Sequence, residues 1–126
     1  MKKFFTKTIL ILGLLGLNFN KTKAQWVTIP DANFVAWLTA NYPSCMNGNQ
    51  MDTTCAAIVA TTNVEIGGLG ISDLTGIRYF DNLQLLNCCC NQLSTLASLP
   101  SSLNTLWCAS NQLTTLPPLP NSIYEI

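Results

Sequence analysis

The chain has 126 residues, a length that suits one small domain, and its six basic and six acidic residues balance at pH 7. It contains no histidine, which excludes Ser-His and Cys-His nucleophile systems within the chain. Phosphate-binding loops and zinc-protease motifs are also absent from the sequence. We therefore expect no enzyme activity, no catalytic residue and no cofactor.

The first 24 residues have the pattern of a secretory signal peptide. Three lysines within the first seven residues precede the apolar run 9–17, and the small residue Ala24 marks the expected cleavage site. The apolar run is shorter than the roughly 20 residues that a spanning helix needs, which disfavours the alternative of a membrane anchor. We expect a chain that is secreted or held at the cell surface, with no membrane span in its mature part.

Loss of residues 1–24 would change the charge balance of the chain. Five of the six basic residues lie in that segment, so Arg78 would face all six acidic residues and the mature net charge would be −5. A chain with a single cation cannot neutralise phosphate groups. Nucleic acid and anionic membrane surfaces are therefore not expected as partners.

Residues 25–62 are predicted to form an N-terminal helical cap. Asp31 directly follows Pro30 and is placed to act as an N-cap, and apolar residues then follow at helical spacing up to Asn41. This apolar face comprises Phe34, Trp37 and Leu38. A second short helix is expected from residue 52 or 53 to residue 60. We interpret the aromatic residues of this region as core.

Cys45 and Cys55 lie ten residues apart across a polar loop of the cap region. Because the signal peptide predicts an oxidising compartment, we expect a disulfide between them.

A near-repeat of 20 residues dominates the C-terminal part of the chain. Residues 86–105 and 106–125 are identical at ten of twenty positions, and a looser copy lies upstream. A fixed period near 20 residues is typical of solenoids, in which each coil buries its apolar edge on its neighbours. We therefore predict about three coils over residues 63–126, the last one incomplete.

Each coil is predicted to contain one short strand of a parallel sheet, because apolar residues alternate there. Cys88 and Cys108 occupy equivalent inward positions, and Asn91 and Asn111 stand where the chain must turn. We expect these four residues to be buried and structural, the two amides satisfying backbone groups of the bend. The proline-containing return segments should be extended, with at most a brief 3₁₀ turn.

These motifs resemble the leucine-rich repeat family. Leu116-Pro117-Pro118-Leu119-Pro120 is similar to its bacterial short-repeat class, and the segment 71–77 is similar to its internalin-like class. The segment 29–34, followed by a helix and then the repeats, resembles the start of secreted bacterial members. The resemblance implies an α/β fold class, a leucine-rich repeat solenoid (a horseshoe segment) with parallel strands and an N-terminal helical cap.

Members of that group commonly continue through further repeats to a C-terminal sorting domain. Because the sequence ends in mid-strand at Ile126, we expect a fragment of a longer surface protein. The alternative is a short protein that self-associates through its uncapped C-terminal edge.

The adjacent cysteines Cys88, Cys89 and Cys90, together with Cys108, raise the question of a metal site. Adjacent residues of a strand point to opposite faces, and the chain has neither histidine nor a Cys-x-x-Cys pair. We predict no metal site.

The outward residues of the predicted strands form a concave face, on which Glu65, Leu85, Asn87 and Trp107 are the candidate binding residues. Trp107 is the principal candidate because a large exposed aromatic side chain is a common interface anchor. The alternative is that Trp107 packs on Leu85 and only shields the sheet. We expect the face to bind a protein or glycan ligand. The alternative function is a structural or adhesive spacer without a local ligand, and an enzyme would require a domain beyond these residues.

Overall fold

A computed structural model describes residues 23–126, so residues 1–22, which carry most of the predicted signal peptide, lie outside the described residues. The described chain forms two three-stranded sheets, two α-helices and two 3₁₀ turns. In chain order the elements are β1 Trp26–Thr28, α1 Ala32–Asn41, a 3₁₀ turn Pro43–Cys45, β2 Met46–Asn47, β3 Gln50–Asp52, α2 Ala56–Val59, β4 Asn63–Glu65, a 3₁₀ turn Ile77–Tyr79, β5 Leu85–Asn87 and β6 Thr105–Trp107.

The first sheet is antiparallel and has the strand order β1-β3-β2. Strands β2 and β3 form a hairpin in which Asn47 pairs with Gln50, so the loop has two residues. The first loop residue is Gly48 at φ +59, a conformation that residues with a side chain rarely adopt. The Thr53 hydroxyl donates to the Gln25 carbonyl and extends the contact between the hairpin and β1.

Helix α1 begins at the N-cap Asp31, as the sequence predicted. Carboxylate Oδ1 of Asp31 accepts a hydrogen bond of 2.8 Å from the Phe34 N–H. Oδ2 accepts two more, each of 2.8 Å, from the N–H and the hydroxyl of Ser72. One carboxylate therefore both caps the helix and ties it to a loop 41 residues further along the chain.

The second sheet is parallel and has the order β4-β5-β6. Leu85 pairs with Asn63 on one side and with Thr105 on the other, so equivalent residues of successive strands stand in register. Thr105 is also bridged in parallel to Glu125, where the Leu106 N–H donates to the Glu125 carbonyl at 3.0 Å. Residues 124–126 therefore lie beside β6 as the next position of the sheet.

A single cluster of buried side chains joins the two sheets. Aromatic contacts run from Trp37 through Tyr42 to Phe80, with ring centroids 5.7 and 5.9 Å apart. Gly76, at φ +107, lies against the side chain of Ile29, which brings the loop after β4 close to the N-terminal segment. The inward residues of the parallel strands complete this core. They are Val64, Leu86 and Leu106.

The predicted fold class, a leucine-rich repeat solenoid with parallel strands and a helical cap, is wrong. The residues predicted as a helical cap form an antiparallel sheet with one ten-residue helix and a helix of four residues. The parallel sheet has three strands of three residues each. The two close sequence copies are fewer than the roughly three stacked repeats that a solenoid needs for stability. The described chain is a small α/β protein with one antiparallel and one parallel sheet.

The predicted disulfide between Cys45 and Cys55 is present, with the two Cα atoms 5.6 Å apart. It connects the 3₁₀ turn before β2 to the residue that precedes α2. Cys45 is fully buried, so this crosslink lies inside the antiparallel half of the molecule.

Removing this disulfide should destabilise the protein. The double variant Cys45→Ala/Cys55→Ala should lower the free energy of unfolding by about 2 to 3 kcal/mol, because the unfolded chain regains the entropy of a closed loop. Urea denaturation followed by circular dichroism measures this change. Cys90→Ser, at an exposed free thiol, is the matched control and should cost less than about 0.5 kcal/mol. Equal losses would contradict a stabilising role for the disulfide.

The hydrogen bonds of Asp31 also control its ionisation. Burial by itself raises the pKa of Asp31, but hydrogen bonds from Ser72 and Phe34 to the carboxylate outweigh burial. The net pKa lies below the ordinary value of 3.8. The charged form of Asp31 therefore stabilises the folded protein above the unfolded pKa, and this contribution is lost as the pH falls through the folded pKa.

Asp31→Ala should therefore lower the free energy of unfolding at pH 7 by about 2 kcal/mol, since it removes the helix cap and the bond to Ser72. Asp31→Asn should retain part of this stability and should lose less stability than the wild type when the pH falls below about 4. Urea denaturation between pH 7 and pH 2.5 tests both statements. Asp73→Asn is the control, because Asp73 accepts only a local bond from the Thr75 N–H. A wild-type pH dependence in Asp31→Asn would contradict the assignment.

Candidate binding surface

The solvent-facing side of the parallel sheet, here called the strand face, is formed by alternate residues of β4, β5 and β6 together with Glu125. Its two rows follow from the strand register. One row contains Glu65, Asn87 and Trp107, and the other contains Asn63, Leu85, Thr105 and Glu125. All four predicted binding residues therefore lie on one face of one sheet.

Asn87 is held in one orientation at the centre of the strand face. Its Nδ2 donates to Oε2 of Glu65 at 2.8 Å, and its Oδ1 accepts from the Cys89 N–H at 3.2 Å. The Asn87 amide thus fixes the position of the Glu65 carboxylate.

Trp107 exposes 38% of its surface at the end of the same row. Its indole Nε1–H donates to Oε1 of Glu125 at 3.2 Å. This hydrogen bond connects the two rows of the strand face, and it places a carboxylate at the edge of an exposed aromatic ring. The exposure of Trp107 follows from the strand pattern, whereas its pairing with Glu125 has no signal in the sequence.

The positions of the other predicted face residues are more enclosed than the strand pattern suggested. Leu85 and Asn87 are half-buried, and Thr105 is only 5% exposed although it lies on the outward side. Thr105 has Leu85 and Glu125 as its neighbours in the row, which accounts for its burial. Thr105 therefore supports the strand face from within and offers little contact area to a ligand.

An apolar groove of about 480 Å³ adjoins Trp107. It is lined by Cys89, Trp107, Cys108, Ala109, Leu113, Leu116 and Ile126. A second surface cavity of about 440 Å³ lies elsewhere, between Arg78, Asp81 and the segment 98–101. Trp107 is therefore both a residue of the strand face and a lining residue of the apolar groove.

Asn91 and Asn111 occupy the bends that follow β5 and β6, where the sequence placed them. Oδ1 of Asn91 accepts from the N–H groups of Leu69 and Ile71, at 3.1 and 2.9 Å. Its Nδ2 lies within 3.2 Å of the carbonyl oxygens of Ile66, Cys88 and Cys89. The buried amide therefore connects the loop after β4 to the bend after β5.

Asn111 repeats this arrangement at the next strand. Its Oδ1 accepts from the Leu93 N–H at 3.0 Å, and its Nδ2 donates to the carbonyl oxygens of Cys88 and Cys108 at 2.9 and 3.0 Å. Asn111 is half-buried, whereas Asn91 is 7% exposed. The residue before each asparagine, Cys90 or Ser110, has a positive φ of 58° or 55°.

The four cysteines outside the disulfide are free thiols with different exposures. Cys88 is fully buried, and burial, followed by the neighbouring thiols of Cys108 and Cys89, raises its pKa to about 12. Burial also raises the pKa of Cys108, which is half-buried. High pKa values disfavour the thiolate, which is the form that reacts and binds metals. Cys88 and Cys108 therefore behave as packing residues.

Within residues 23–126, no group of three or more cysteine and acidic side chains is arranged to hold a metal ion. In the same part of the chain, no helix has both the length and the apolar character needed to cross a bilayer.

Comparison with protein-family models, with curated proteins and with solved structures finds no match for this chain. The resemblance to the leucine-rich repeat family therefore stays a prediction from sequence motifs.

Asn91 should be essential for the shape of the strand face. Asn91→Ala should lower the free energy of unfolding by about 2 to 3 kcal/mol, because buried backbone groups of two loops lose their partners. Asn111→Ala should cost less, since Asn111 is less buried. Exposed Asn121 provides the control, and Asn121→Ala should change stability by less than about 0.5 kcal/mol. Urea denaturation gives all three values, and a neutral Asn91→Ala would contradict the structural role.

Proposed function

We propose that this protein is a binding module that recognises a partner protein through the strand face, with Trp107 as the anchor. The observation that carries the proposal is the 38% exposure of the Trp107 ring, which borders an apolar groove and lies on the same face as half-buried Leu85. Exposed aromatic rings beside ordered polar groups are the side chains that most often dominate interface energies. The ordered polar groups here are the Asn87 amide and the carboxylates of Glu65 and Glu125.

The proposed role is binding and not catalysis. In the described residues the two glutamates of the strand face belong to strands whose backbones are three strand spacings, about 14 Å, apart. This exceeds the roughly 5 to 10 Å between the paired carboxyl groups of glycosidases. A rigid face with fixed side chains suits recognition, because little conformational entropy is lost on binding.

We also propose that the protein acts outside the cytoplasm. The disulfide between Cys45 and Cys55 supports this, because stable disulfides form mainly in oxidising compartments. The signal-peptide pattern of residues 1–24 supports it independently.

The proposal is tested with the full chain on arrays of peptides and glycans. Trp107→Ala and Leu85→Ala should each weaken the binding of any peptide that the wild type captures, by about tenfold or more for Trp107→Ala. Trp26→Ala is the matched control, because Trp26 is also exposed but lies on β1, in the other sheet. Circular dichroism and the melting temperature should not change in these variants.

Equal capture by the wild type and by Trp107→Ala would overturn the proposal. Capture of neutral glycans alone would replace a protein partner by a carbohydrate. A chain that captures nothing from either array would favour the alternative role of a structural or adhesive spacer.

A further inference from the structure

The charges of the strand face identify the chemistry of its partner. Its two ionisable side chains are Glu65 and Glu125. Glu65 accepts a hydrogen bond from the neutral amide of Asn87, and Glu125 accepts one from the neutral indole of Trp107. The basic side chains of residues 23–126 are Lys23 and Arg78, and both lie outside β4, β5 and β6. The strand face is therefore negatively charged and has no basic residue of its own, which repels anionic ligands and attracts cationic ones.

Trp107 and Glu125 together form a site that suits one positively charged group. The indole donates to Oε1 of Glu125, which leaves Oε2 available to a donor from a ligand. A planar guanidinium can stack on the exposed ring and donate to this oxygen at the same time. An ammonium group interacts with the ring as a point charge and lacks the stacking contact.

Glu65 offers a second site of the same sign on the same face. Its Oε2 accepts from Asn87, and Oε1 is left for a ligand. Three strand spacings of about 4.8 Å separate the strands that carry Glu65 and Glu125, so their backbones lie about 14 Å apart. In an extended peptide, residues four apart point to the same side and are separated by about 13 Å.

We propose that the strand face binds an extended basic peptide segment of a partner protein, with one arginine between Trp107 and Glu125 and a second cation at Glu65. Leu85 and the Asn87 amide lie between the two sites and contact the middle of the segment. This inference rests on the proposed function and specifies its ligand class.

The test uses an eight-residue threonine peptide with two arginines four residues apart, titrated into the full chain by calorimetry at low salt. The matched control peptide carries citrulline at both positions, which keeps the shape and removes the charge. We expect the arginine peptide to bind about tenfold more tightly, and its affinity to fall as salt is raised. A lysine peptide of the same design should bind more weakly than the arginine peptide.

Three variants assign the contacts. Glu125→Gln and Glu65→Gln should each reduce the affinity for the arginine peptide about fivefold, and Trp107→Leu should reduce it similarly because it retains apolar area but removes the aromatic ring. Asp81→Asn is the control, because it changes the net charge equally at an exposed residue outside the strand face. A loss of affinity in Asp81→Asn as large as in Glu125→Gln would show a general charge effect and overturn the assignment.

Failure of this inference is distinguishable from failure of the proposed function. Equal affinity for the arginine and citrulline peptides overturns the cationic ligand, while array capture that depends on Trp107 and Leu85 would still support the binding face. Arginine-peptide binding that is unchanged in Trp107→Leu, Glu125→Gln and Glu65→Gln places the ligand elsewhere on the protein and overturns the inference.

Discussion

The buried carboxamide of Asn91 is the interaction on which the parallel half of this protein depends. It accepts from two N–H groups of the loop after β4 and donates to the carbonyl oxygens of Ile66, which follows β4, and of Cys88, which follows β5. These backbone groups lie where the strands end, so no sheet partner satisfies them, and orphaned buried groups would cost free energy. Asn111 makes the equivalent contacts one strand further on. The strands are only three residues long, so the hydrogen bonds of the bends add to the few ladder bonds that align them.

The antiparallel half is held to the parallel half by polar contacts at the rim of a shared apolar core. Asp31 is the main one, since one carboxylate caps α1 and also binds Ser72. The Asn33 amide donates to the Gly70 carbonyl, and the hydroxyl groups of Tyr42 and Thr61 are hydrogen-bonded to each other. The disulfide stabilises the antiparallel half internally. The strand face thus stands on a scaffold whose two halves cannot separate without breaking buried contacts, and this rigidity favours a preformed binding surface.

The strand face combines an exposed aromatic ring, an ordered amide and two carboxylates. These side chains give the face its negative charge and its apolar contact area. Glu65 and Glu125 accept hydrogen bonds from neutral donors, and these bonds do not neutralise the negative charge of the face. A cationic segment of a partner would supply the compensation, and the aromatic ring would add a cation–π contact. The apolar groove next to Trp107 gives a ligand that extends past the ring further surface to cover.

Features governed by local pattern were predictable from the sequence alone. Alternation determined which side chains of β4, β5 and β6 point inward, the spacing of Asn91 and Asn111 indicated the bends, and the α1 N-cap at Asp31 follows from a residue preference. The antiparallel sheet was not predicted, because strands of two or three residues are too short to show an alternating apolar pattern. Gly48-Asn49 is nevertheless a recognised hairpin signal. The solenoid was wrong because a repeat in the sequence does not specify how the remaining residues pack. The burial of Thr105, the bond between Trp107 and Glu125, and the tie between Asp31 and Ser72 were decided by tertiary structure, since each joins segments that meet only when the chain folds.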